Sequence, residues 1–172
     1  MSIAFYDTTA FASGLIFDLL QDAYSYDPRY ALCWRQNWLE ADAFMFANPD
    51  IARRYSFVTV LHEEPIGFLV WDPRKLPAVA EIGHNCIRTR FQGNGYGKLQ
   101  LSEAIRRIRL LQAEHIKVTT NESLHAARKN YESCGFSLVA TRPVANQPAF
   151  IGDALDYDYA LTLPSQPWLA KA

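Results

Sequence analysis

The most constraining stretch of the chain is Arg90-Phe91-Gln92-Gly93-Asn94-Gly95-Tyr96-Gly97-Lys98. It joins a long strand-like run (78–88) to a segment (about 95–113) that carries Leu101, Ile105, Ile108 and Leu111 on one helical stripe. Glycines at alternate positions free the backbone for positive φ and leave N–H groups uncovered. The helix that follows aims its own unpaired N–H groups and its positive dipole end at the same turn. Such a turn suits an anion such as phosphate, and it can equally be a plain tight turn. It lacks the Gly-Lys-Ser/Thr ending of a P-loop, and its glycines do not follow the G-x-G-x-x-G spacing of a dinucleotide fold.

The rest of the chain sets this unit in a mixed α/β order. Leu15, Ile16, Leu19 and Leu20 give an amphipathic helix over about 12–24, ended by Asp27-Pro28. A second helix from about Tyr30 carries Leu32, Trp34, Trp38 and Phe44 and frays near Asn48-Pro49. Strands are expected at 56–61 and 66–71, joined by Glu63-Glu64-Pro65 as a hairpin, and then at 78–88. After the glycine loop and its helix come a strand (116–120), a helix (123–134) stopped by Gly135, and strands at 136–140 and 155–163. Helices, a strand meander and then strand–helix alternation imply one sheet, part antiparallel and part parallel. With 172 residues, one domain is expected, and the segment after Leu163, with Pro164 and Pro167, is peripheral.

Composition narrows the class. A net charge of −1 argues against a nucleic-acid binder that works by bulk electrostatics. Cys33, Cys86 and Cys134 are odd in number and form no CxxC pair, so reduced thiols in a cytoplasmic protein, with no metal, are expected. No uncharged apolar run approaches the ~20 residues of a membrane span, and Asp7 and Asp18 interrupt the early apolar stretch before any basic residue appears, unlike a signal peptide.

At Gln92-Gly93-Asn94-Gly95-Tyr96-Gly97 the sequence resembles the GNAT superfamily of acyl-CoA-dependent N-acetyltransferases, whose phosphate loop reads Arg/Gln-x-x-Gly-x-Gly/Ala. Ala80-Glu81-Ile82 in the preceding strand and Ala127-x-x-x-Tyr131-Glu132-x-x-Gly135-Phe136 downstream fall in that family's order. The resemblance covers roughly 56–163 and places the helical part, about 10–55, where the family forms its acceptor site. It implies the GNAT-type fold: a central, twisted, partly antiparallel mixed sheet flanked by helices. It also implies a cleft for acetyl-CoA where strand 81–88 splays from strand 116–120. There Cys86, Ile87 and Arg88 would bond the pantetheine arm like an added strand. Gln92, Gly93, Asn94, Gly95, Tyr96, Gly97 and Lys98 would hold the pyrophosphate.

The family's usual asparagine, seven residues before the tyrosine, is Leu124 here; Asn121 or Ser123 could supply the polar contact, with Ser123 read as a helix N-cap. Tyr131 shares a stripe with Leu124, Ala127 and Cys134, so it is either a core aromatic or, as the resemblance implies, the acid that protonates the leaving thiolate. Glu81 is the leading general base and His84 the alternative, the latter at opposite parity on the strand unless a bulge intervenes. Cys134 reads as a buried thiol, and Arg106, Arg107 and Arg109 as a solvated helix face. Tyr24, Tyr26, Tyr30, Trp34 and Trp38 fall in the acceptor-site part. The implied reaction is direct transfer of an acetyl group to a primary amine of a small molecule or peptide, with no nucleic-acid or membrane partner; homodimers are common in the family. A non-catalytic acyl-CoA-binding or regulatory module is the alternative.

Overall fold

The computed structural model describes residues 3–144 and 155–164. Its strands are β1 (Ile3–Tyr6), β2 (Ser56–Leu61), β3 (Glu64–Lys75), β4 (Val79–Ile87), β5 (His115–Asn121), β6 (Ser137–Pro143) and β7 (Leu155–Thr162). Its helices are α1 (Leu15–Ala23), α2 (Pro28–Ala47), α3 (Pro49–Tyr55), α4 (Tyr96–Leu110) and α5 (His125–Ser133). The seven strands form one sheet in the order β1-β2-β3-β4-β5-β7-β6. Pairing is parallel between β4 and β5 and antiparallel at every other junction, the mixed sheet the sequence implied.

The sheet is covered on both faces. Against one, Leu101, Ile105 and Ile108 of α4 and Tyr131 of α5 pack on Phe57, Leu69, Trp71 and Ile82. Against the other, Ile16, Leu19 and Leu20 of α1, with Tyr30, Trp38 and Met45 of α2, pack on Val58, Phe68, Val70 and Cys86. Strand β2 is therefore buried at every residue, which is why its sequence does not alternate cleanly.

Five details differ from the sequence reading, each for a local reason. The β2–β3 turn is His62-Glu63, both at positive φ, so Glu64 and Pro65 pair within β3, which runs on to Lys75. β1 is a four-residue edge strand, too short to carry a pattern. α2 begins at Pro28, because Asp27 caps it and proline suits the first helical turn. Pro49 likewise opens α3 instead of ending structure. In α2, Leu32 and Phe44 are exposed and Asp42 is buried at 6% exposure.

Asp42 is buried because α1 needs it. The N-cap of α1 is Gly14 at φ 99°, which has no side chain to cap with. The Asp42 carboxylate reaches across from α2 and accepts from the Gly14 and Ile16 N–H groups at 2.8 and 3.0 Å and from the Ser13 hydroxyl at 2.9 Å. Asp42→Ala would leave those donors orphaned, and we expect a loss of about 2–3 kcal/mol in a urea melt. A melt unchanged by the substitution would show that water caps α1 equally well.

Candidate active site

The site originates in one irregularity of β4. Val70 pairs with His84 but Trp71 pairs with Ile82, so Gly83 is an extra residue, a β-bulge. Pairing of β4 with β5 ends at the same place, with Ile82 opposite Val118. From Gly83 to Ile87 the edge of β4 that would face β5 has no strand neighbour among the described residues. Beyond this split lies a cleft of about 620 Å³, walled by Asn85, Cys86 and Ile87, by the glycine loop, by Ser123 to Ala127, and by Tyr24 and Tyr26.

The bulge also decides which side chains share a face. Glu81 pairs with Asp72, His84 with Val70 and Cys86 with Phe68, so all three fall on the α1/α2 face. Asn85, paired with Leu69, falls on the α4/α5 face. The opposite parity of Glu81 and His84 in sequence is thus cancelled. Glu81 and His84 do not line the cleft. The Glu81 carboxylate lies 3.3 Å from Lys75 Nζ. Burial pushes the His84 imidazole below its usual 6.5, so it is neutral at pH 7 and able to accept a proton.

In the loop, Gly93 and Gly95 have φ of 78° and 81°. A Cβ at either would meet nothing within 4 Å, so it is the left-handed backbone, not crowding within the protein, that reserves both positions for glycine. Gly95 is the N-cap of α4 and offers no side chain to the first N–H groups of the helix. Gln92 Nε2 donates to the Ile87 carbonyl at 2.9 Å and the Ala23 carbonyl at 3.2 Å, fastening the loop to β4 and α1. Gly95→Glu would strain this turn and bring a negative charge to the loop that the resemblance assigns to a pyrophosphate. We expect acetyl-CoA affinity, read by calorimetry, to fall by at least about tenfold in a protein that still melts cooperatively. Unchanged binding would remove the loop from the cofactor site.

Of the residues singled out for the cofactor, Cys86, Ile87, Gln92, Gly93, Gly95, Gly97 and Lys98 line the cleft; Tyr131 does not, but its hydroxyl is bonded to Asn85, which does. Arg88, Asn94, Tyr96 and Asn121 brace its walls instead. Arg88 Nε donates to the Pro65 carbonyl at 3.0 Å, Asn94 Nδ2 donates to the carbonyls of Phe91 and Gln92, and Tyr96 meets the Phe91 ring edge-on. The Asn121 side-chain oxygen accepts from the Ser123 N–H and hydroxyl. Ser123 is not the α5 cap: that position is Leu124, and the Ser123 hydroxyl also bonds the Tyr30 hydroxyl at 2.8 Å. Arg106 and Arg107 bind Glu103, whose carboxyl the Arg106 guanidinium, then that of Arg107, hold down to about 2; neither arginine reaches the cleft.

Tyr131 is buried on the α4/α5 face, with its ring against Phe136 and Tyr159. Its hydroxyl oxygen accepts from Asn85 Nδ2 at 3.3 Å. Burial pushes the phenol up to about 12, and the Asn85 donor pulls against that rise. Burial likewise pushes the Cys86 thiol up to about 12, which leaves it an unreactive hydrophobe and not a nucleophile. Residues 16–136 match the model of the acetyltransferase (GNAT) family. The chain belongs to the GNAT acetyltransferases.

Solved structures agree on the fold of this acetyltransferase. The ribosomal-protein-S18-alanine N-acetyltransferase of Escherichia coli superposes with a TM-score of 0.71 at 17% identity, over 98% of this chain and 97% of that one. A GNAT family acetyltransferase from Elizabethkingia anophelis, solved with acetyl-CoA bound, gives 0.69 at 16% identity, over 94% and 98%. An IAA acetyltransferase from Bacillus cereus gives 0.65 at 18%, over 94% and 99%. No curated protein matches the sequence. No helix among the described residues is long and apolar enough to cross a membrane.

The acetyltransferase carries polar cleft residues that its sequence did not advertise. Asn85 and Asn130 line the cleft, and Gln100, on α4, is wholly buried behind it. An asparagine inside a strand and a glutamine beside an apolar helical stripe were the available signals. The acceptor-side aromatics divide. Tyr30 and Trp38 are core, Tyr24 stacks on Trp38 at 5.5 Å while lining the cleft, Tyr26 lines it from the rim, and Trp34 does not reach it.

Proposed function

We propose that this acetyltransferase moves an acetyl group from acetyl-CoA to the primary amine of a small molecule or peptide by direct attack. The observation that carries the reading is the unpaired β4 edge from Gly83 to Ile87, ending on a glycine loop at a helix N-terminus, with the Tyr131 hydroxyl beside it. An unpaired strand edge can bond an extended amide-bearing arm as a further strand would; within Cys86 to Arg88 that edge is centred on Ile87, since the Arg88 N–H is given to the Ile66 carbonyl at 2.7 Å and the Cys86 carbonyl accepts from Gln100. The Gly93 to Lys98 amides, at the positive end of α4, suit a diphosphate. Acetyl-CoA supplies an activated thioester, and the Elizabethkingia neighbour holds that molecule.

The chain's own groups then divide the proton work across the sheet. Tyr131, protonated at pH 7 as any phenol is and held more firmly so by burial, is the donor on the α4/α5 face. Glu81 is the proton acceptor for the incoming ammonium on the α1/α2 face, and His84 shares that face as the alternative. Tyr24 and Tyr26 form the aromatic side of the acceptor region, suited to an apolar or cationic amine.

The test is release of CoA thiol when the protein is incubated with acetyl-CoA and a panel of amines: a polyamine, an aminoglycoside, an aromatic ethylamine and peptides with free N-termini. Release above hydrolysis with at least one amine is expected. Tight acetyl-CoA binding without release for any amine would turn the reading to a non-catalytic acyl-CoA module.

A further inference from the structure

Behind the cleft runs a buried polar chain that joins four elements. Thr59 of β2, itself fully buried, donates its hydroxyl to Gln100 Oε1 at 2.6 Å. Gln100 Nε2, on the other end of that amide, faces three acceptors: Asn85 Oδ1 at 2.8 Å, the Cys86 carbonyl at 3.1 Å and the Phe68 carbonyl at 3.2 Å. A flipped Gln100 would set an oxygen against two carbonyls, so its orientation is determined. The orientation of Asn85 follows. Its oxygen is taken by Gln100, so its Nδ2 must face Tyr131, where it lies 3.3 Å from the hydroxyl oxygen. An amide nitrogen has protons and no accepting lone pair. Tyr131 can therefore only accept from Asn85, and its single proton is left for another acceptor.

We propose that Thr59, Gln100 and Asn85 form a positioning relay that fixes the Tyr131 hydroxyl as an acceptor toward the protein and so directs its proton into the cleft. The proposal rests on Tyr131 being the proton donor of the proposed reaction. It assigns Asn85 and Gln100 a role in turnover, beyond stapling β3, β4 and α4 together. The same staple explains Gly67: a Cβ there would lie 2.4 Å from Gln100 Oε1 and 2.7 Å from the Cys86 carbonyl.

Asn85→Asp tests the relay. It keeps the shape and the oxygen that accepts from Gln100, but replaces the donor facing Tyr131 with an acceptor. The phenol proton would then be held by the new carboxylate. With the fastest amine of the panel, we expect kcat to fall about 10–100-fold while KM for acetyl-CoA stays within about twofold. The deficit relative to the unmodified enzyme should shrink as pH falls, because a protonated carboxyl can donate to Tyr131 again. In a Tyr131→Phe background the same substitution should change kcat by less than about twofold. Asn85→Ala, which only removes the donor, should cost about three- to tenfold and should also lose its effect in that background. It serves as the second variant should melting show Asn85→Asp unfolded. Unchanged kcat in a folded Asn85 variant would overturn the relay. So would an undiminished loss in the Tyr131→Phe background, which would mean that residue 85 acts directly. Full turnover by Tyr131→Phe alone is a different failure, that of the donor assignment beneath it.

Discussion

Tyr131→Phe is expected to lower kcat by ~10²-fold or more while the protein stays folded and still binds acetyl-CoA. The substitution removes one oxygen and keeps the ring, whose contacts with Phe136 and Tyr159, at 5.7 and 6.1 Å between centroids, persist. Among the described residues the hydroxyl has one hydrogen-bond partner, the Asn85 Nδ2 that donates to it at 3.3 Å. Leaving that donor unpaired costs about 1–3 kcal/mol at most, and the cleft-lining position of Asn85 gives water a route to it. A structural tyrosine would show only that modest loss in a melt. A proton donor would show a small stability change and a large loss of turnover, because its work is done in the transition state. The measurement is kcat with an active amine beside a melting curve of the same preparation. Full turnover would sink the donor assignment.

Glu81→Gln is expected to lose ~10²–10⁴-fold in kcat at neutral pH if the carboxylate accepts the proton of the incoming ammonium. The sign of the pH dependence follows from the substrate. An alkylamine is mostly protonated at pH 7, so a base is needed most there, and the deficit should narrow as pH rises and free amine accumulates. Glu81 is half-exposed and pairs with Lys75, so no large change in stability accompanies its loss. The bulge at Gly83 makes the control specific. His84 lies on the same face, so a Glu81→Gln enzyme with wild-type rate across pH would move the proton acceptor to His84, and His84→Gln should then carry the loss.

Much of this was legible in the chain itself. The glycine loop, the strand before it and the apolar stripe of α4 are local patterns that need only backbone and periodicity rules to read, and the Tyr131-Glu132-x-x-Gly135-Phe136 run was read through its resemblance to the GNAT family. They were enough to place the loop at a helix start; the cleft between β4 and β5 was an implication of the resemblance to the GNAT family. What the tertiary structure alone decided were pairings between residues far apart in sequence. The sequence left open a bulge between Glu81 and His84; only the register with β3 places it at Gly83, where the extra residue turns Glu81 and His84 to the same face, and pairing with β5 stops beside it at Ile82. Nothing in the local sequence marks Asp42 as buried; it is the bare Gly14 turn of α1 that takes its carboxylate. Thr59, Gln100, Asn85 and Tyr131 come from four separate elements, and a buried amide acquires a direction only when every neighbouring donor and acceptor is in place. Local sequence therefore determined the elements and the anion loop. The orientation of the chemical groups around the loop was settled by packing, because hydrogen-bond polarity and strand register are properties of contacts and not of the residues that make them.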